Sequence, residues 1–149
     1  MTISMHSASV PIFVRMLGNL LKWLDKAEAH ATARKFDPAV YLGARLSGVD
    51  APKFADDEAS LADLRERVRK TIDFIQSVPA ARIDGTEAKD VVVPRRDGSM
   101  TLKGETYLKT FVLPNFFFHV TTAYALLRHY GVELGKADFL GPMQPPPAA

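Results

Sequence analysis

At 149 residues and 16.4 kDa the chain holds one domain's worth of core, and 47% hydrophobic against 24% charged residues places it among ordinary globular proteins. A formal charge of +2, from 19 Lys+Arg and 17 Asp+Glu, provides no field to draw in a phosphate backbone, so nucleic-acid binding has no support in the totals. With no cysteine there is no disulfide framework, thiolate nucleophile or zinc knuckle, which suits a reducing cytoplasm.

The opening stretch lacks a basic leader, and Pro11, Arg15 and Asn19 break its apolar run, so it reads as part of the fold, neither signal peptide nor membrane span. From Val10 on, Phe13, Val14, Leu17, Leu20, Leu21, Leu24 and Ala27 recur at three- and four-residue steps, which predicts an amphipathic helix. Ser9 can cap it, Pro11 sits where a missing N–H costs little, and 36-FDP-38 marks a boundary beyond it.

After Pro52, Asp56 or Asp57 offers an N-cap for a second helix. Leu61, Leu64, Val68, Ile72 and Ile75 line its apolar face, and the run 63-DLRERVRK-70, with Arg65, Glu66 and Arg69, reads as its solvated face. Asp56, Asp57 and Glu58 could hold a cation, but favouring the helix dipole by about 0.3 to 1 kcal/mol each explains them better. The stretch 90-DVVVPRRDGSMTLKG-104 predicts a β-hairpin that Pro94 confines to a small edge feature.

The segment 105-ETYLKTFVL-113 predicts a helix that kinks or restarts at Pro114 near Asn115 and stops at Gly131. Phe116, Phe117, Phe118, Val120, Tyr124, Leu126 and Leu127 spread around its circumference, so it is expected to be buried on several sides, centrally in a bundle or in a subunit interface. In 135-GKADFLG-141, Phe139 and Leu140 are expected to pack on the bundle, since Walker spacing is missing. The Pro-rich end, 143–149, reads as a frayed tail after a single domain over 1–142.

The histidines are the candidate chemistry. His119 is either a ligand or general base, or a core histidine bonded to a neighbouring helix, and the second reading is the simpler. His129 lies about 80° around the helix and about 15 Å along it from His119, so the two cannot share a metal unaided; a cap beside Arg128 fits it better. His30, near the end of the first helix, suits a surface or cap role, and His6 a solvated one.

The strings PNFFFHVTTAYALLRHYGVELGKADFLG and SVPIFVRMLGNLLKWLDKAEAHA resemble an uncharacterised bacterial family, domain of unknown function nineteen-ninety-three, within the DinB/YfiT-like group of helical bundles. The resemblance implies an all-α, DinB-like four-helix bundle, up-down-down-up, with the hairpin as an insertion and a homodimeric assembly through its aromatic helices. Some members of the group bind a divalent metal such as Zn or Ni through three histidines and transfer thiols. Their late helix carries two histidines four residues apart, whereas here His119 is followed by Ala123. Family members also place a further helix between segments like 41-YLGARL-46 and 47-SGVDAP-52. The two are joined directly here, a shortfall on the order of 20 to 30 residues, which reads as a skipped segment.

Two functional classes follow. The leading one is a non-catalytic module that binds a small molecule or serves as a stable dimer, with His119, Asn115, Tyr124, His30 and His129 as pocket or signature residues, no cofactor and no membrane or nucleic-acid partner. The alternative is a metal-dependent transferase or hydrolase centred on His119.

Overall fold

The computed structural model describes residues 3–30 and 59–142, with side chains up to Glu28 in the first stretch. The predicted boundary at 36-FDP-38, the acidic cluster 56–58, the Leu46–Ser47 junction, the His30 side chain and the tail 143–149 lie outside the described residues.

Helix α1 spans Val10–His30. Its apolar stripe is the centre of the core: Phe13, Leu17, Leu20, Trp23, Leu24 and Ala27 are all buried. Ser9 precedes it and its carbonyl accepts from Phe13 N, but its hydroxyl donates backward to Met5 O at 2.6 Å instead of capping a helix amide. That bond closes a turn over residues 5–9, which His6 N ties to Asp84 Oδ1 at 2.7 Å. The start is therefore an anchored turn around a half-buried His6, where the sequence led us to expect a merely solvated one.

Helix α2, Leu61–Ser77, packs on α1. Its N-cap is Ser60, in place of the expected Asp56 or Asp57: Ser60 Oγ accepts from Asp63 N at 3.2 Å while Asp63 Oδ2 accepts from Ser60 N at 2.9 Å, a reciprocal capping box. Leu64, Val68 and Ile75 are buried as predicted, with Leu61 and Ile72 half-buried against them. Arg65 corrects the solvated-face reading. It is buried, its Nη2 donating to Leu24 O at 2.9 Å and its guanidinium reaching Asp25 and Glu28 on α1. A long aliphatic stem can cross the apolar seam while its head meets the polar rim of the next helix.

A 3₁₀ turn, Ala80–Arg82, leads to the hairpin of β1 (Asp90–Arg95) and β2 (Gly98–Lys103), paired antiparallel with Val91 opposite Leu102. Val91 and Val93 face the core, Val92 faces solvent, and Pro94 stands opposite Ser99 near the tip, as an edge strand requires. Gly98, at φ +129°, closes the turn.

One continuous helical run, Gly104–His129, follows. It consists of α3 (Gly104–Tyr107), a π-helical turn (Leu108–Val112) and α4 (Leu113–His129). The chain thus does not restart at Pro114: the wider turn just before it accommodates a residue that has no N–H to offer the preceding helix. Gly131, at φ +89°, ends the run. A short helix α5, Lys136–Leu140, returns along α1.

Candidate functional site

Two surfaces carry the chemistry, one on α1 and one on α4. On α1, the residues that interrupt the apolar pattern form a hydrogen-bonding ladder. Arg15 Nε and Nη2 donate to Leu140 O (3.1 Å) and Pro142 O (2.8 Å), and Asn19 Nδ2 donates to Phe139 O (3.0 Å). Trp23 Nε1 donates to Asp138 O (3.0 Å), and Lys26 Nζ to Glu133 O (3.2 Å) and the Asp138 carboxylate (2.8 Å). Positions 15, 19, 23 and 26 share one helical stripe, and their acceptors run in reverse order, so the C-terminal strap lies antiparallel to α1.

Aromatic contacts finish the seam. Phe139 stacks on Trp23 at 5.6 Å and meets Tyr124 edge-on at 5.3 Å. Tyr124 also touches Trp23, and its hydroxyl reaches Leu134 O at 3.4 Å. Phe139 packs as expected, whereas Leu140 points to solvent because Arg15 holds its carbonyl toward α1. Asp138 caps α5 through Gly135 N; that bond, with the Lys26 ammonium, holds its carboxyl below the ordinary carboxylate range.

Beside the ladder lies a solvent-open cleft of about 820 Å³ between α1, the end of α2 and the 5–9 turn, bordered by Pro142. Arg15, Lys22 and His6 line it together with Asn19, Gln76 and an apolar wall of Val10, Pro11 and Val14. Gly18 also lines it, and among the described residues a Cβ added there would meet nothing within 4 Å.

The second surface is the outer stripe of α4. Its inner stripe, Phe116, Val120 and Ala123, is buried, with Phe116 on Phe13 of α1 at 4.6 Å. The outer stripe runs Pro114, Phe117, Phe118, Thr121, Thr122, Ala125, Leu126 and His129. Phe118 is 65% exposed, Leu126 45% and Phe117 36%. Among the described residues α4 is therefore covered along its inner stripe, and the expectation of burial on several sides, centrally in a bundle or in a subunit interface, is not met by them.

The sequence candidates are not brought together. Asn115 and His119 stand one turn apart, both half-buried. The His119 ring meets Phe118 edge-on at 5.3 Å, and no hydrogen bond to its imidazole occurs among the described residues. Tyr124 belongs to the α1 seam, and His129 is exposed in the last turn of α4 beside Tyr130. Among the described residues no three His, Asp or Glu side chains are grouped to hold a metal ion. The described donor set therefore does not fit the three-histidine metal that the DinB resemblance implies. The cleft-lining residues that the sequence reading did not single out as candidates are Arg15, Gly18, Asn19 and Lys22; the four-residue polar step from Arg15 to Asn19 through an apolar pattern is a signal for those two, while Gly18 and Lys22 carry none.

The arrangement defines a DinB-like helical fold with a small antiparallel hairpin. It is similar to the crystal structure, at 1.83 Å resolution, of a DinB family member protein from Shewanella denitrificans, with a TM-score of 0.80 and 33% sequence identity over 95% of each chain. The chain belongs to the family described as domain of unknown function DUF1993, whose model matches residues 5–50 and 42–140. The two matched stretches overlap across the Leu46–Ser47 junction. No curated protein matches the chain.

Proposed function

We propose that this DinB-like protein is a non-catalytic homodimeric module whose subunits meet through the outer stripe of α4. The observation that carries the reading is that stripe itself. It is about 22 Å long, from Pro114 to His129, and has three exposed large apolar side chains and no Asp, Glu, Lys or Arg. Thr122, near its middle, has its hydroxyl turned onto Phe118 O at 2.7 Å, so burial would not orphan it. Thr121 and Ala125 are small enough for a second helix to approach, and a two-fold axis through them would set each Phe118 against the partner's stripe.

The run Gly104–His129 is also long and apolar enough, by length and composition, to cross a membrane. Its inner stripe is committed to α1, which favours a partner on one face over lipid on all faces. Sedimentation of the wild type should give twice 16.4 kDa, and Phe118→Glu, at an exposed position, should give a folded species of 16.4 kDa. A wild type that sediments at 16.4 kDa at the same concentration overturns the reading.

Kinship with a DinB family member keeps a metal-dependent enzyme as the second reading, with His119 as one ligand. Divalent metal that copurifies with the wild type and is lost in His119→Ala would favour it over the first.

A further inference from the structure

We propose that the cleft lined by Gly18 binds a small amphipathic carboxylate, its head group held by Lys22 and Arg15 and its apolar part laid against Val10, Pro11 and Val14. The ligand class follows from the lining. Two cationic side chains, the two amides Asn19 and Gln76 and an apolar wall of Val10, Pro11 and Val14 line the cleft, and among the described residues no carboxylate lines it. The nearby Asp84 carboxylate is engaged by His6 N. Arg15 uses two of its five N–H donors on the strap, leaving others for a ligand oxygen. Lys22 is exposed, with no ion pair among the described residues. The volume, about 820 Å³, lies within the range that takes small organic molecules.

Gly18 points the same way independently. Glycine inside a helix costs roughly 0.5–1 kcal/mol relative to alanine. A helical glycine is commonly explained by a neighbour packed against it, yet among the described residues a Cβ at position 18 would meet nothing within 4 Å. The chain thus forgoes helix stability at a cleft-lining position where a larger side chain would take up room in the cleft.

The proposal deepens the non-catalytic reading by giving the module a ligand, but its site is on α1 and its test does not depend on α4. The full chain is titrated with octanoate and, separately, with octanamide, following amide resonances by NMR. Octanoate should shift Gly18 and Lys22 and bind at least tenfold more tightly than octanamide. Gly18→Leu, which the open space accommodates, should keep the fold and weaken octanoate at least tenfold; Lys22→Ala should remove most of the preference for octanoate. No binding of octanoate, equal binding of the two probes, or undiminished octanoate binding by Gly18→Leu would each overturn the proposal. Sedimentation of the same samples reads the dimer separately, so either idea can fail alone.

Discussion

Replacing Gly141 by alanine should release the C-terminal strap from α1. Gly141 has φ +68° and ψ 179°, a region nearly restricted to glycine, and forcing another residue into it costs about 1–3 kcal/mol. A Cβ there would also stand 2.4 Å from Asn19 Oδ1 and 2.9 Å from Asn19 Cγ, so the buried amide must move. Moving it breaks the bond to Phe139 O, worth about 1 kcal/mol. The sum, about 2–4 kcal/mol, shifts strap docking by roughly 30- to 1,000-fold toward release. The chain's single tryptophan reports this directly, because Trp23 is 1% exposed beneath Phe139 and bonded to Asp138 O. Gly141→Ala should therefore red-shift tryptophan emission at temperatures where far-UV circular dichroism still shows an intact bundle. Asn19→Ala removes the group the new methyl strikes, so the double variant should lose less than the sum of the single losses. Unchanged emission in Gly141→Ala, or strict additivity in the pair, would refute the docking described.

Arg65 and the capping carboxylates give two more tests. Because Asp25 and Glu28 are 67% and 66% exposed, their ion pairs with Arg65 are discounted by solvent, and the buried stem carries much of the value. Arg65→Met should then cost about 1–2 kcal/mol in urea unfolding and Arg65→Ala about 2–4; equal losses would sink this division. Asp63 is held below the usual value of 3.8 chiefly by the Ser60 hydroxyl and then by the Ala59 and Ser60 amides, and Asp138 by Gly135 N and Lys26. A folded-state pKa below the unfolded one gives stability that is present above 3.8 and lost as pH falls through the lowered value. The difference in stability between wild type and Asp63→Ala, or Asp138→Ala, should accordingly be constant near neutrality and shrink in acid; a difference that grew in acid would contradict the assigned bonds.

Much of the fold was legible because burial imposes a period. The apolar faces of α1 and α2 and the alternation of Val91, Val92 and Val93 follow directly from spacing, and the family strings pointed to the DinB-like fold. What spacing could not give was the partner of each polar group. Ser60 capped α2 because Asp63 lies three residues on, a reciprocal signal that the more acidic pair upstream obscured. Arg65 was misplaced because charge predicts where a head group goes, and says little about a stem long enough to cross a seam. The histidines drew attention as chemistry-bearing types, yet among the described residues only Asn115 and His119 come near one another.

The exceptions on α1 share a physical logic. Asn19 is 3% exposed in the middle of an apolar stripe, and burying an amide there is tolerated because Phe139 O meets it. Trp23 follows the same rule, its ring in the core and its N–H on Asp138 O. Gly18, adjacent to Asn19, breaks the helical preference just as clearly, but among the described residues no other element or side chain comes within 4 Å of where its Cβ would stand. Asn19 and Trp23 are thus compensated by the strap, whereas Gly18, uncompensated among the described residues, lines a cleft bordered by two cations, which is where local rules are expected to yield to binding.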